Sequence, residues 1–361
     1  MRTLRAPGRR LRPAPWVGLG LAAALPLAAR AAPVAQPGAA PAGVNWLTKA
    51  VRAPARIGYR ATETLVTRSG KDTDRVTVRV VHRAPDDTRR EYLSRQGRVE
   101  RIVSDDGHSH WQYLPQRKQI IFSPSVRVDR ELWQERHLGR LLANYTVSDG
   151  GEAVLGGRPV RALAVAPRSG HHGPSKRLWV DKATGLILKS EVTSADGKTN
   201  LSSTLSDLRL EKTIADSEFA SPAHARKQTV IWEHVAVLPL VALRHHWKRP
   251  VMVPRDLPSG YRLESARLLR RGRNTFVHLR YFDGLNTLSL FEEPSRVSSG
   301  ASRQRGRSRA RGTVGTWDFD PPFWALTWRE RGLKLVLVSD LPQHELLRLA
   351  EGMRPPAAKK R

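Results

Sequence analysis

The chain has no cysteine among its 361 residues. That excludes a disulfide framework, a thiolate zinc site, a cysteine nucleophile and a lipoprotein anchor on an N-terminal cysteine. It also lacks a Gly-x-Ser-x-Gly elbow, a His-Glu-x-x-His helix, a phosphate-binding glycine loop and a dinucleotide fingerprint, so the usual signatures of several enzyme classes are missing. Beyond the N-terminus there is no long apolar run. "VAVLPLVAL" at 235–243 is nine residues with a central proline, far short of the roughly 20 that cross a bilayer as a helix. Acidic residues are scarce: 33 against 62 basic ones, a formal net charge of +29. Lysine is scarce too, at 13 residues, so arginine carries the charge. GC-rich coding produces the same arginine, alanine and proline bias without any selection for charge.

A hydrophobic content of 40% excludes a wholly disordered chain. The length suffices for two domains. Arg2, Arg5, Arg9, Arg10 and Arg12 precede a largely apolar stretch from Trp16 to Ala29, and Ala29-Arg30-Ala31 places small residues where a signal peptidase reads them. Residues 1–31 are therefore expected to be a cleaved signal peptide, and the protein exported. Arg9-Arg10 is a twin-arginine pair, but the residues after it fit general secretion better. Export changes what the charge means. In the cytoplasm a basic chain suggests nucleic acid; outside it the anionic partners are lipid headgroups, lipopolysaccharide and acidic protein segments. No nucleic-acid partner is expected.

Residues 32–43 form a flexible lead-in, and Asn45 is placed to cap a short helix through Ala50. Short alternating segments follow at 57–67, 75–83, 89–94, 99–103, 109–114 and 119–122, separated by turn signals such as "APDD", "RQG" and "PQRK". Segments this close leave no room for crossover helices, so antiparallel pairing is required. Asp129 is placed to cap an amphipathic helix over 130–145, after which strands return at 146–148, 160–165, 177–181, 186–193 and 199–210. This gives a first domain at 44–220, a linker at 221–252, a second domain at 253–353 and a disordered tail at 354–361. The second domain has strands at 261–269, 276–282, 287–291, 315–319, 323–330 and 333–339. It carries an arginine-rich insertion at 295–312 and a final helix opening at Asp340.

Several residues were weighed for chemistry. Asp105, Asp106, His108 and His110 in "DDGHSH" are a candidate metal set, and equally a hairpin turn with a polar strand face. The pairs His171-His172 and His245-His246 have no third ligand nearby in sequence. Glu292 and Glu293 look like paired acid/base groups, but neighbours on a strand diverge to opposite faces. Adjacent carboxylates so placed cannot flank one bond, so they read as an offset to the arginine run beyond them. Trp111, Tyr113, Trp133, Leu138, Leu141 and Trp179 are candidate linings of an apolar cavity, or plain core. Arg303, Arg305, Arg307, Arg309 and Arg311 are candidate contacts for an anionic partner or membrane surface, or a solvated loop. No metal and no cofactor are expected.

The order of elements carries a resemblance. "ARIGYRATETLVT", "VHRAPDDTRREYLSRQGRVERIV", "HWQYLP", "RLWVDKATGLILKSEV" and "IADSEFASP" are followed by "LPSGYRL", "LRYFDGLNTLSLFEE" and "LVLVSDLPQHELLRLAEGM". Over residues 44–353 this resembles the MucB/RseB family of periplasmic sigma-factor regulators, departing from it in the arginine-rich insertion and the high charge. The resemblance implies an α+β fold: a LolA-like curved antiparallel half-barrel sheet covered by helices, then a smaller α+β domain. It implies that the periplasmic domain of a membrane anti-sigma factor is bound and shielded from proteolysis. It implies release when an acyl-chain or lipopolysaccharide ligand arrives. The alternative is a periplasmic lipoprotein or lipid carrier, and an exported hydrolase using Asp105, His108 or Glu292 ranks last. Self-association is left open.

Overall fold

Turn residues every few positions over 57–124, with no room there for a crossover helix, dictate antiparallel pairing, and the computed structural model shows two large antiparallel sheets. The residues it describes are 42–69, 72–107, 109–124, 130–169, 173–193, 199–222, 232–271, 273–295, 313–315, 324–339, 341 and 343–354. Residues 1–41, including the expected signal peptide, lie outside these, as do Asp129 and the tail from 355.

The first unit opens with helix α1 (Ala42–Arg52) and strands β1 (Tyr59–Ser69), β2 (Asp72–Arg83), β3 (Asp87–Leu93), β4 (Val99–Asp105), β5 (Ser109–Leu114) and β6 (Gln119–Pro124). Helix α2 (Arg130–Asn144) leads into β7 (Tyr145–Leu155), β8 (Arg158–Pro167), β9 (Ser175–Asp181), β10 (Ile187–Thr193) and β11 (Thr199–Leu210). These make an open 11-stranded sheet in the order β6-β5-β4-β3-β2-β1-β11-β10-β9-β8-β7. Two meanders thus meet where β1 pairs with β11. The α1 helix begins three residues before Asn45, which is therefore inside the first turn and not its cap. Gly43 explains the early start: a Cβ there would sit 3.1 Å from the Val147 carbonyl, so the helix packs directly on β7.

Period-two alternation gives the sheet two distinct faces. On one, Leu47 and Ala50 of α1 and Leu141 of α2 pack with Tyr145, Leu163, Val165, Leu178 and Val180. The register carries this face from Leu178 through Ser190 and Ser203 to Leu65, where Leu65, Val78, Val80 and Tyr92 form a further buried cluster. The opposite face is clasped by the segment after β11. Ile214 and Phe219 pack on Val81, Arg83 lies over the Phe219 ring at 4.8 Å, and Arg60 pairs with Glu211 at 2.9 Å and Glu218 at 3.2 Å. The Phe219 carbonyl accepts from Trp111 Nε1 at 2.9 Å and Ser104 Oγ at 3.3 Å. Trp111→Phe removes that donor and leaves a void where the indole was buried, so urea unfolding is expected to show a loss of about 1–3 kcal/mol.

The second unit contains β12 (Trp232–Val237), α3 (Leu240–Trp247), β13 (Val253–Pro254), β14 (Arg262–Arg271), β15 (Asn274–Phe282), β16 (Thr287–Pro294), β17 (Thr313–Gly315), β18 (Trp324–Glu330), β19 (Leu333–Ser339), α4 (Gln343–Glu351) and β20 (Met353–Arg354). Seven strands form a sheet in the order β12-β14-β15-β16-β19-β18-β17, and β13 pairs with β20. Leu243 and Trp247 of α3 and Leu346, Leu349 and Ala350 of α4 cover one face over Leu279, Leu288, Leu290, Leu335 and Leu337. The segment read from sequence as a linker thus supplies the edge strand β12 and a covering helix of this unit.

Candidate functional site

The two sheets approach at two places: edge strand β12 lies against edge strand β6, and the turn between β15 and β16 reaches the first unit's α2 and β7. Asp283-Gly284 reads from sequence as a hairpin signal that Leu285-Asn286 can lengthen; the closing strand pair is Phe282 with Thr287, so the longer, four-residue turn is the one formed. Asp283 folds its side chain back: Oδ1 accepts from the backbone N–H of Leu285 at 2.8 Å and of Asn286 at 2.6 Å. Its other oxygen accepts from Tyr145 Oη at 2.6 Å and Asn286 Nδ2 at 3.1 Å. Tyr145 belongs to the first sheet, and it and Asp283 are both at 0% exposure. The Asn286 amide also donates to Tyr145 Oη at 2.8 Å, and Asn144 Nδ2 donates to the Asp283 carbonyl at 2.6 Å. Gly284 has φ +105°, a region open to glycine. A Cβ there would lie 2.4 Å from the Leu141 backbone nitrogen, so α2 of the first unit rests on this glycine.

Charged groups ring the joint. His137 Nε2 of α2 meets Glu264 Oε1 of β14 at 2.5 Å, and Arg280 Nε lies 3.2 Å from Glu264 Oε2. Burial alone would raise the Glu264 carboxyl, but the His137 hydrogen bond and the Arg280 charge hold it below the usual carboxylate range. The His137 ring packs on Phe282 at 4.2 Å between centroids. Lys176 Nζ donates to the Leu285 carbonyl at 3.3 Å, and Leu285 packs into the helix-side cluster of the first unit. Both units therefore share one buried polar contact with an apolar neighbour.

The helix-side face of the first sheet holds a second buried polar group. Glu63 is buried and accepts from Arg90 and Ser203 Oγ. Tyr59 stands beside it, its phenol pushed up to about 12 by burial. Arg101 lies over the Tyr92 ring at 3.8 Å.

The six residues read as a cavity lining do not form one cluster. Trp111 and Tyr113 pack with Ile102 and Ile120. Leu138 and Leu141 sit in the helix-side cluster, while Trp179 packs with Ala53, Val160, Leu186 and Leu188. The strand register puts Trp179, Lys189, Thr204 and Thr64 on one face, and through Arg60, Val81, Arg89 and Ser104 that face reaches Trp111. Both tryptophans therefore point away from the helix-side cluster. The side chain of Trp133 lies outside the described residues, as do Arg303, Arg305, Arg307, Arg309 and Arg311.

The residues weighed for hydrolysis are not assembled. Asp105 is on β4, cross-strand from His110, whose burial lowers its pKa against the pull of Asp105. His108 lies outside the described residues, and Glu292 is in the other sheet at 0% exposure. The reading of Glu292 as an offset to the arginine run is corrected: its oxygens accept from the Met252 backbone N–H at 3.0 and 3.1 Å inside the core. Burial pushes its carboxyl up to about 8. Glu293 diverges as expected and pairs with Lys334 at 3.3 Å. Among the described residues no group of three His, Asp or Glu could hold a metal ion.

What fold and site define is a two-sheet α+β protein with helix-covered apolar faces and a buried polar joint between its units. The MucB/RseB N-terminal domain model matches residues 42–223, and the chain belongs to the MucB/RseB family. The sigma factor AlgU regulatory protein MucB of Pseudomonas aeruginosa is 28% identical over 323 residues, covering 87% of this chain and 91% of that protein. A solved MucA/MucB complex from Pseudomonas aeruginosa aligns with a TM-score of 0.56 at 20% identity, over 87% of this chain and 99% of the matched one. MucB in complex with periplasmic MucA aligns at 0.53 and 20% identity, over 88% and 100%.

Proposed function

We propose that this protein is a periplasmic negative regulator of envelope-stress signalling. It binds the periplasmic domain of a membrane anti-sigma factor and releases it when lipid, lipoprotein or lipopolysaccharide binds. Family membership carries the reading, supported by a relative named for sigma-factor regulation. The joint at Asp283 supplies a physical route: a partner spanning both units feels their relative placement, and an acyl ligand under α1 and α2 acts on Leu141, which rests on Gly284. An acyl chain suits the apolar faces because each buried CH₂ contributes roughly 0.8 kcal/mol.

The test immobilises the periplasmic domain of a membrane anti-sigma factor from the same cell and captures the chain from residue 32 onward. Capture is expected, with release on adding lipopolysaccharide or a diacylated peptide. Capture without release would leave regulation standing and remove the lipid arm. Co-purifying lipid with no capture at any salt concentration would instead make the protein a lipid carrier.

A further inference from the structure

Val237, at the end of β12, and Val241, in the first turn of α3, are 58% and 64% exposed. Helix α3 turns Leu243 and Trp247 into the core. Helical spacing then puts Val241 and His245 on the outward side, and Lys248 follows as the left-handed cap that ends the helix. His245, His246, Lys248 and Arg249 are all exposed. From His234 to Arg255 there is no Asp or Glu, while Arg244, Lys248, Arg249 and Arg255 are basic. The corner is thus an aliphatic tip beside exposed cations, with Glu233 and Asp256 flanking its acid-free stretch.

We propose that the β12–α3 corner is a contact surface for an anionic phospholipid membrane. Val237 and Val241 enter the headgroup boundary, and Lys248 and Arg249 meet lipid phosphates. Exposed aliphatic groups beside lysine and arginine fit an interfacial contact with an anionic bilayer. A protein interface core is instead depleted in lysine, and the exposed cations here include Lys248. The corner shares no residue with the joint at Asp283 or with the arginine-rich insertion, and its proposal does not depend on anti-sigma binding.

The experiment sediments the chain from residue 32 onward with vesicles of equal parts phosphatidylcholine and phosphatidylglycerol, and with phosphatidylcholine alone. The insertion is intact in every variant, so its contribution cancels. Wild type is expected to favour the anionic vesicles. Val237→Asp/Val241→Asp should lower partition at least tenfold. Lys248→Gln/Arg249→Gln should lower it about thirty-fold, which at 1.4 kcal/mol per tenfold corresponds to about 2 kcal/mol. Both variants should keep the wild-type circular dichroism, because they change exposed side chains. The proposal is overturned if both sediment like wild type, or if neutral vesicles bind equally well. It is also overturned if the variants lose the anti-sigma domain while keeping vesicle binding, since the corner would then be a protein interface.

Discussion

Asp283→Ala is expected to destabilise the protein by roughly 3–5 kcal/mol and to split its thermal unfolding into two transitions. The substitution removes the carboxyl that accepts from Tyr145 Oη and Asn286 Nδ2 in a site closed to water. It also removes the two backbone bonds that shape the turn. Losing the acceptor of a buried donor costs about 1–3 kcal/mol, and the lost backbone bonds of the turn add to it. Because one partner lies in each sheet, the loss falls on the contact that makes the units unfold together. Tyr145→Phe removes one hydroxyl and should cost about 1–2 kcal/mol, with a single transition kept. Gly284→Val tests the same joint sterically. Its Cβ meets the Leu141 backbone, which cannot swing aside like a side chain. Differential scanning calorimetry reads all three. A single transition with stability near wild type in Asp283→Ala would show that the joint does not couple the units.

Glu292→Gln is expected to stabilise the protein at pH 8 and to change it little at pH 4.5. The carboxyl is sealed among Leu288, Leu290 and Met252, with one backbone N–H as its donor. Burial raises its folded-state pKa from 4.5 to about 8. The folded protein therefore holds a proton that the unfolded chain gives up. That contribution is fully present below about 4.5 and is lost steadily as pH rises to about 8. The full window corresponds to on the order of 3–5 kcal/mol. A glutamine amide carries no charge to desolvate, so the variant should lack this slope. Urea unfolding at pH 5, 6.5 and 8 checks it: the gap between variant and wild type should widen with pH. Parallel curves would show that Glu292 is ionised in the folded state.

Much of the strand order was legible because alternation and turn residues act locally. The β5 and β11 bounds, and the hairpins around "DKATG" and "DGLN", follow from a few neighbouring residues. What stayed hidden depends on contacts distant in sequence. β7 runs on to Leu155, where the alternation breaks at Gly150-Gly151; the register shifts between Asp149 and Glu152. Nothing near Asp283 announces that Tyr145 will donate to it from the other sheet. A glycine after an aspartate reads the same whether the turn is free or pressed against a helix. Glu292 looked like a surface carboxylate because the arginine run follows it. Its place in the same alternation as Leu288 and Leu290 was the signal that it faces the core. Trp111 and Trp179 looked like one lining because tryptophan reports burial but not which face is buried.

The measurement that bears most directly on the account is calorimetric titration of the chain from residue 32 onward with the periplasmic domain of a membrane anti-sigma factor from the same cell. Saturable binding is predicted, weakened in Asp283→Ala because the partner meets two units no longer held in one arrangement. No heat and no saturation, at both low and high salt and with both proteins folded, would contradict it.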